Sequence, residues 1–254
     1  MNTFYNQLKG VLAKQYMTNI YQNILEAKAN KRKLLAILLD PDKIELEHTA
    51  ILISKINQSP ATHIFIGGSQ VHNNIIDDLI VKIKQESKLP VVLFPGNPSQ
   101  ISNKADGILF LSLISGRNPD YLIGYQIQAA TVLKSTQLEI IATGYILIES
   151  GTITAVERVS ETKPLNRIDC DLAVATALAG EMLGYKLIYL EAGSGAKQAV
   201  PCEMIKKVAQ NTDIPLLVGG GIKNLQGIQE AFLAGADLVV IGTAFENDLD
   251  FFQN

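Results

Sequence analysis

Eight short apolar runs recur along this chain, and helical patterns separate most of them. The runs are Leu34–Leu39, Thr62–Ile66, Val91–Phe94, Gly107–Leu111, Ile140–Ile148, Lys186–Leu190, Leu216–Val218 and Leu238–Ile241. They are largely apolar on both faces, the pattern of strands buried from both sides. Between them, apolar residues recur at helical spacing over Glu45–Ile56, Val71–Gln85, Tyr121–Leu133, Leu172–Leu183, Pro201–Ala209 and Leu225–Ala234. Such alternation argues a parallel sheet covered by helices. Eight strands within 254 residues favour closure into a (β/α)8 TIM barrel, which takes about 250 residues. The expectation is one barrel domain over residues 1–254. Helical spacing across residues 3–29 (Phe4, Leu8, Val11, Leu12, Ile20, Ile24, Leu25) adds an N-terminal helical extension, residues 1–30.

The alternation has one defect. A parallel crossover normally takes a dozen or more residues and contains a helix. Between Phe94 and Gly107 the chain instead reads Pro95-Gly96-Asn97-Pro98-Ser99-Gln100 and onward, where two prolines and a glycine forbid most of a helix. Helix 3 of the barrel is therefore expected to be replaced by a loop. Either the crossover is merely short, or the gap in the outer ring is a groove for something long and apolar. The polar stretch Thr152–Lys163 reads as a loop over the barrel mouth.

The last three strands each run into glycine: Tyr189-Leu190-Glu191-Ala192-Gly193-Ser194-Gly195, then Gly219-Gly220-Gly221, then Gly242-Thr243. Glycine lets backbone N–H groups approach an anion that a larger side chain would hold off. Loops after strands seven and eight are where such barrels bind phosphate. Glu191 stands at the catalytic end of its strand, two residues before a glycine loop. It is placed either to accept a proton from a hydroxyl near the phosphate or only to hydrogen-bond substrate.

Asp40, in Leu39-Asp40-Pro41-Asp42-Lys43, ends the first strand and suits Mg²⁺, which takes one or two carboxylates and fills its shell with water and phosphate oxygens. Ser69, after Phe65-Ile66-Gly67-Gly68, stands next in line on the neighbouring strand and would complete a metal–diphosphate site. A turn-capping Asp40 and a plain Gly-Gly-Ser turn are the structural alternatives. Asp77-Asp78 falls mid-helix and reads as a solvated face. His48, His63 and His72 share no metal-ligand spacing and read as surface or packing residues. Arg117, in Ser115-Gly116-Arg117-Asn118-Pro119, is open between meeting a phosphate and neutralising its loop. No Ser-His-Asp or Cys-His arrangement points to covalent catalysis.

A net charge of −3 advertises no broad surface for nucleic acid. Cys170 and Cys202 lack ligand spacing and read as reduced, core-type thiols. The N-terminus has no signal-type apolar region, and no run reaches the ~18 residues of a membrane span, so the protein reads as cytoplasmic.

Taken together, these motifs resemble the geranylgeranylglyceryl phosphate synthase family, which includes bacterial heptaprenylglyceryl phosphate synthases. The matching segments are Leu39–Lys43, Phe65–Ser69, Phe94-Pro95-Gly96, Tyr189–Gly195, Gly219–Ile222 and Ile241-Gly242-Thr243, with Ser115–Pro119 and Thr143-Gly144-Tyr145-Ile146 also familial. The resemblance implies ether formation between a polyprenyl diphosphate and the primary hydroxyl of sn-glycerol 1-phosphate, with the prenyl chain in a groove where helix 3 is missing. It implies an Mg²⁺ site at Asp40 and Ser69. It places glycerol phosphate against Tyr189, Leu190, Glu191, Ala192, Gly193, Ser194, Gly195, Gly220, Gly221, Gly242 and Thr243. One family branch carries a lysine two residues before the metal aspartate; here that residue is Leu38, as in the branch whose products tend to carry a geranylgeranyl chain. A heptaprenyl donor is the alternative. The family also forms dimers and larger rings, so self-association is expected, with at most transient membrane contact for the lipid. The rival readings are a phosphosugar isomerase-type barrel, which explains the glycines but neither the groove nor a diphosphate–metal site, and a non-catalytic phosphate-binding scaffold, against which Asp40 and Glu191 speak together.

Overall fold

A computed structural model describes residues 19–68 and 76–253. Ser69 and His72, together with the beginnings of two expected helices, lie outside the described residues. Eight strands pair in sequence order, all parallel, and close on themselves: β1 (Leu34–Leu39), β2 (His63–Ile66), β3 (Val91–Leu93), β4 (Gly107–Leu113), β5 (Glu139–Leu147), β6 (Leu187–Glu191), β7 (Leu216–Gly219) and β8 (Leu238–Ile241). The β1–β8 register that completes the barrel pairs Leu34 with Leu238 and Ile37 with Ile241. The expected modified TIM barrel is the one observed.

Side chains alternate across each strand, and two cores result. Leu34 and Ala36 of β1 point inward with Phe65, Leu109, Tyr145, Tyr189, Leu217 and Val240. Leu35, Ile37 and Leu39 point outward, into the layer beneath the helices. The outer helices are α2 (Thr49–Gln58), α3 (Ile76–Glu86), α4 (Tyr125–Lys134), α6 (Cys170–Met182), α7 (Cys202–Asn211) and α8 (Leu225–Ala234). The N-terminal helix α1 (Ile20–Ala29) closes the barrel floor. Ile20 and Ile24 join the interior cluster. Glu139, at the start of β5, accepts the Ile20 and Tyr21 amides at 2.5 and 2.9 Å and so caps the helix.

No regular helix follows β3. The segment holds only a 3₁₀ turn, Pro98–Gln100, capped by the Asn97 side chain. The expectation for Thr152–Lys163 needs correction: it contains a short helix, α5 (Ala155–Ser160), not only a loop. Its signal was present as Thr154-x-x-Glu157, a capping box, and the Thr154 side chain accepts the Glu157 amide at 3.4 Å. A terminal helix, α9 (Thr243–Asn247), follows β8 directly. The thiol expectation is corrected in part: both cysteines are free, but only Cys170 is buried and Cys202 is exposed. His63 is buried, its Nδ1 lies 2.8 Å from Thr62 Oγ1, and burial pushes its pKa down to about 4. Asp77 and Asp78 are exposed, as read.

Candidate functional site

Strand parity decides which groups reach the barrel mouth. On β6, Leu187 and Tyr189 belong to the interior cluster, so Glu191, two residues on, faces inward at the C-terminal end. Asp40 continues the inward parity of Leu34 and Ala36 just beyond β1. These groups line a cavity of about 660 Å³ together with Gly193, Ser194, Gly195, Gly220, Gly221, Gly242 and Thr243. Leu190 and Ala192 do not face it. Each has the opposite parity and packs, fully buried, in the outer core.

The glycine loops interlock. Ala192 N donates to Gly219 O at 3.1 Å, and Gly193 N donates to Glu191 Oε1 at 2.6 Å. Gly220 has φ +78°, and a Cβ there would stand 2.3 Å from Glu191 Oε1. Only glycine fits both constraints. Across the cavity, Ser194 Oγ and Thr243 Oγ1 lie 3.4 Å apart, so two loops offer hydroxyls toward one small region.

Burial raises the Glu191 pKa, while the Tyr189 hydroxyl and the Gly193 amide pull it back. The Tyr189 hydroxyl is near enough to the carboxylate for that effect, yet neither it nor the buried Tyr145 hydroxyl has a partner in good hydrogen-bond geometry. Burial, then the nearby Glu191 charge, holds both phenols well above their ordinary value. A buried carboxyl group therefore sits beside two neutral phenols.

Asp40 carries a carboxylate at the opposite side of the mouth. Gly68 leaves it room, since a Cβ on Gly68 would approach Asp40 Oδ1 to 3.1 Å. Among the described residues, no three His, Cys, Asp or Glu side chains gather into a metal cage. Lys43, Lys197, Lys223 and Glu246 also line the cavity, and the sequence reading had named none of them as site residues. Arg117 lines neither this cavity nor its neighbour; its Nη1 donates to Gly116 O at 2.6 Å.

That neighbour is an apolar groove in the gap left after β3. Ile101, Ile108, Leu109, Phe110, Leu111 and Leu113 line it, with Tyr121, Tyr125 and Ala129 opposite. It shares Gly68, Phe94, Tyr145 and Val156 with the first cavity. At this junction the Phe94 and Tyr145 rings lie 5.5 and 5.4 Å from the Tyr189 ring, each edge-on. Tyr145 is a junction residue that the sequence marked only as part of a familial segment.

A closed parallel barrel with interlocked glycine loops after its last three strands belongs among the (β/α)8 barrels, here with an apolar annexe. Within that class the chain belongs to the PcrB family, whose model matches residues 27–253. It is 68% identical over 243 residues to the geranylgeranylglyceryl phosphate synthase of Flavobacterium johnsoniae, covering 96% of this chain and 100% of that one. It is 42% identical over 226 residues to the synthase of the same name from Thermococcus kodakarensis, covering 89% of each. The crystal structure of (S)-3-O-geranylgeranylglyceryl phosphate synthase from Thermoplasma acidophilum, in complex with substrate sn-glycerol-1-phosphate, superposes with a TM-score of 0.88 at 32% identity, covering 93% of this chain and 95% of that chain. Among the described residues, no helix is long and apolar enough to cross a membrane.

Proposed function

We propose that this protein transfers a prenyl group, geranylgeranyl, from its diphosphate to the primary hydroxyl of sn-glycerol 1-phosphate. The observation that carries this reading is the junction itself: a glycine-lined polar cavity holding a buried acid opens directly onto an apolar groove at Phe94 and Tyr145. The similarity to geranylgeranylglyceryl phosphate synthases, one solved with sn-glycerol-1-phosphate, supports it. Leu38, which lines the cavity where one branch carries lysine, favours geranylgeranyl over heptaprenyl as donor.

The phosphate sits against the amides of Ser194–Gly195, Gly220–Gly221 and Gly242–Thr243, with the Ser194 and Thr243 hydroxyls beside it; the Gly193 amide is held by Glu191. Holding glycerol phosphate by one end places its free hydroxyl near Glu191, and this positioning is the main contribution of the loops. The hydroxyl oxygen bonds to the allylic carbon of the donor as the carbon–oxygen bond to diphosphate breaks. Glu191 takes the hydroxyl proton, and both electrons of the broken bond leave with diphosphate. Because an allylic carbon tolerates positive charge, proton removal can come late. The Tyr145, Tyr189 and Phe94 rings keep water from the reacting carbon.

Asp40 fits Mg²⁺ as one hard carboxylate beside space for a substrate, the donor set of an ion that takes its remaining oxygens from phosphate and water. Ser69 would be its second protein ligand. When bound, the ion neutralises charge on the departing diphosphate. The reading extends to one barrel domain spanning the chain and to self-association. Incubation with labelled sn-glycerol 1-phosphate and prenyl diphosphates of graded length tests it. Label in an ether-linked lipid supports prenyl transfer; its absence with every donor overturns it.

A further inference from the structure

Lys43 closes the 3₁₀ turn that follows Asp40, and its ammonium lies between two carboxylates, 2.9 Å from Glu246 Oε2 and 3.3 Å from Asp40 Oδ2. Glu246 comes from the far end of the chain, on α9. Its own amide donates to Gly242 O at 3.0 Å, which locks it to the β8 turn. Its other oxygen, Oε1, accepts the Asp40 backbone amide at 3.1 Å. Glu246 thus grips the β1 loop at two points across the β8–β1 seam.

The two ends of this ion pair differ. The Glu246 side chain is 13% exposed and the Lys43 side chain 49%. The carboxylate is a held anchor, and the ammonium is the more exposed end, in the cavity that both residues line. An exposed ion pair adds little stability by itself. Two carboxylates at a site for an anion would repel it, and Lys43 is the cation placed between them. A lysine offers a compact charge on a flexible stem. Its ammonium can therefore turn from Asp40 to an incoming oxyanion while Glu246 still holds it.

We propose that Lys43 is a diphosphate-binding residue and that Glu246 is the positioning residue that presents it. This rests on the prenyl-transfer reading, which brings a diphosphate to the Asp40 side of the cavity. Glu246→Gln isolates the effect, because glutamine keeps one oxygen for the Asp40 amide and puts a neutral NH2 where the oxygen holding Lys43 stood.

The test is calorimetric titration of the full-length protein with inorganic diphosphate in the presence of Mg²⁺, beside titration with sn-glycerol 1-phosphate. Lys43→Met is expected to weaken diphosphate about tenfold, and Glu246→Gln about three- to tenfold, the scale of one net hydrogen bond. Glycerol phosphate affinity should stay within about twofold of wild type, since its loops are untouched, a split that general loosening of the fold would not produce. The double variant should bind diphosphate no more weakly than Lys43→Met alone, because Glu246 acts through Lys43. Lys43→Arg should recover part of the loss. Lys43→Met with wild-type diphosphate affinity overturns the proposal, as do single-variant losses that multiply in the double variant. If Glu246→Gln does not fold, the Lys43 pair still decides the binding role. A wild type that binds diphosphate but transfers no prenyl group overturns the function reading instead.

Discussion

Glu191 Oε1 accepts the Gly193 amide at 2.6 Å, so the acid that ends β6 is fixed to the first turn of the glycine loop that follows it. The carboxylate and the glycine loop are therefore joined within three residues. In the proposed reaction, a hydroxyl delivered by a phosphate-anchored substrate would meet a carboxylate whose direction is already set. Burial raises its pKa, which strengthens it as a base at neutral pH.

Glu191→Gln should lower turnover by about 10²-fold or more, with glycerol phosphate affinity nearly unchanged. A loss confined to affinity would make Glu191 a positioning residue. In the wild type, the acid limb of the pH–rate profile should fall above the ordinary carboxylate range, and the Gln variant should lack that limb.

The same residue carries a stability prediction. A raised carboxyl pKa means the native state holds this proton more tightly than the unfolded chain. Its stabilising contribution is complete below the ordinary carboxylate pKa and is lost as pH rises through the native value. At neutral pH the raised pKa therefore costs stability relative to acid, and Glu191→Gln should melt at a higher temperature than wild type. Acidification should erase the difference. Melting curves from acid to neutral pH would show it, and a Gln variant less stable at neutral pH would contradict it.

Gly220→Ala is expected to fail in two ways. Its φ of +78° costs a non-glycine residue about 1–3 kcal/mol. Its Cβ would also drive the Glu191 carboxylate out of place, since 2.3 Å is no contact distance. Both melting temperature and glycerol phosphate affinity should drop, by calorimetry roughly tenfold or more in affinity. Wild-type affinity in a folded Ala variant would remove this loop from the phosphate site.

Asp40→Asn should leave the fold intact, because an amide oxygen still accepts the Asp42 amide that the Asp40 side chain caps at 3.3 Å. Mg²⁺-stimulated turnover should fall at least about a hundredfold, the several kcal/mol a metal contributes to charge neutralisation. Full stimulation by Mg²⁺ in this variant would end the metal assignment.

What the sequence revealed depended on range. Strands apolar on both faces are a local signal, and β1 and β8 fall at their expected bounds. The missing helix was legible because Pro95 and Pro98 forbid one locally, and Glu191 because strand parity and a glycine loop are both written within a few residues. The Asp40–Lys43–Glu246 group was not legible, since its partners stand more than two hundred positions apart and meet only when β8 pairs with β1. Leu190 and Ala192 were placed in the pocket by their motif, and strand parity turns them outward. The helix α5 was missed for a different reason: its capping box was present, but a six-residue element offers too few turns to show a period.

The final prediction concerns the groove. Each buried CH₂ contributes about 0.8 kcal/mol, so one isoprene unit of five carbons contributes at most about 4 kcal/mol, up to three powers of ten in affinity. Donors shortened by one unit at a time should lose affinity steeply while the groove still has wall to offer. Beyond the point where the chain outgrows Ala129 and its neighbours, added units should contribute little. The wall itself supplies the second arm of the test. Leu111 lines the groove and is only half-buried, so Leu111→Asn puts an amide among apolar side chains without emptying the inner core. Its KM for a long donor should rise, while its KM for glycerol phosphate should hold, because the phosphate loops lie on the far side of Phe94 and Tyr145. A flat response to donor length, with Leu111→Asn indifferent to it, would mean that the lipid chain binds elsewhere.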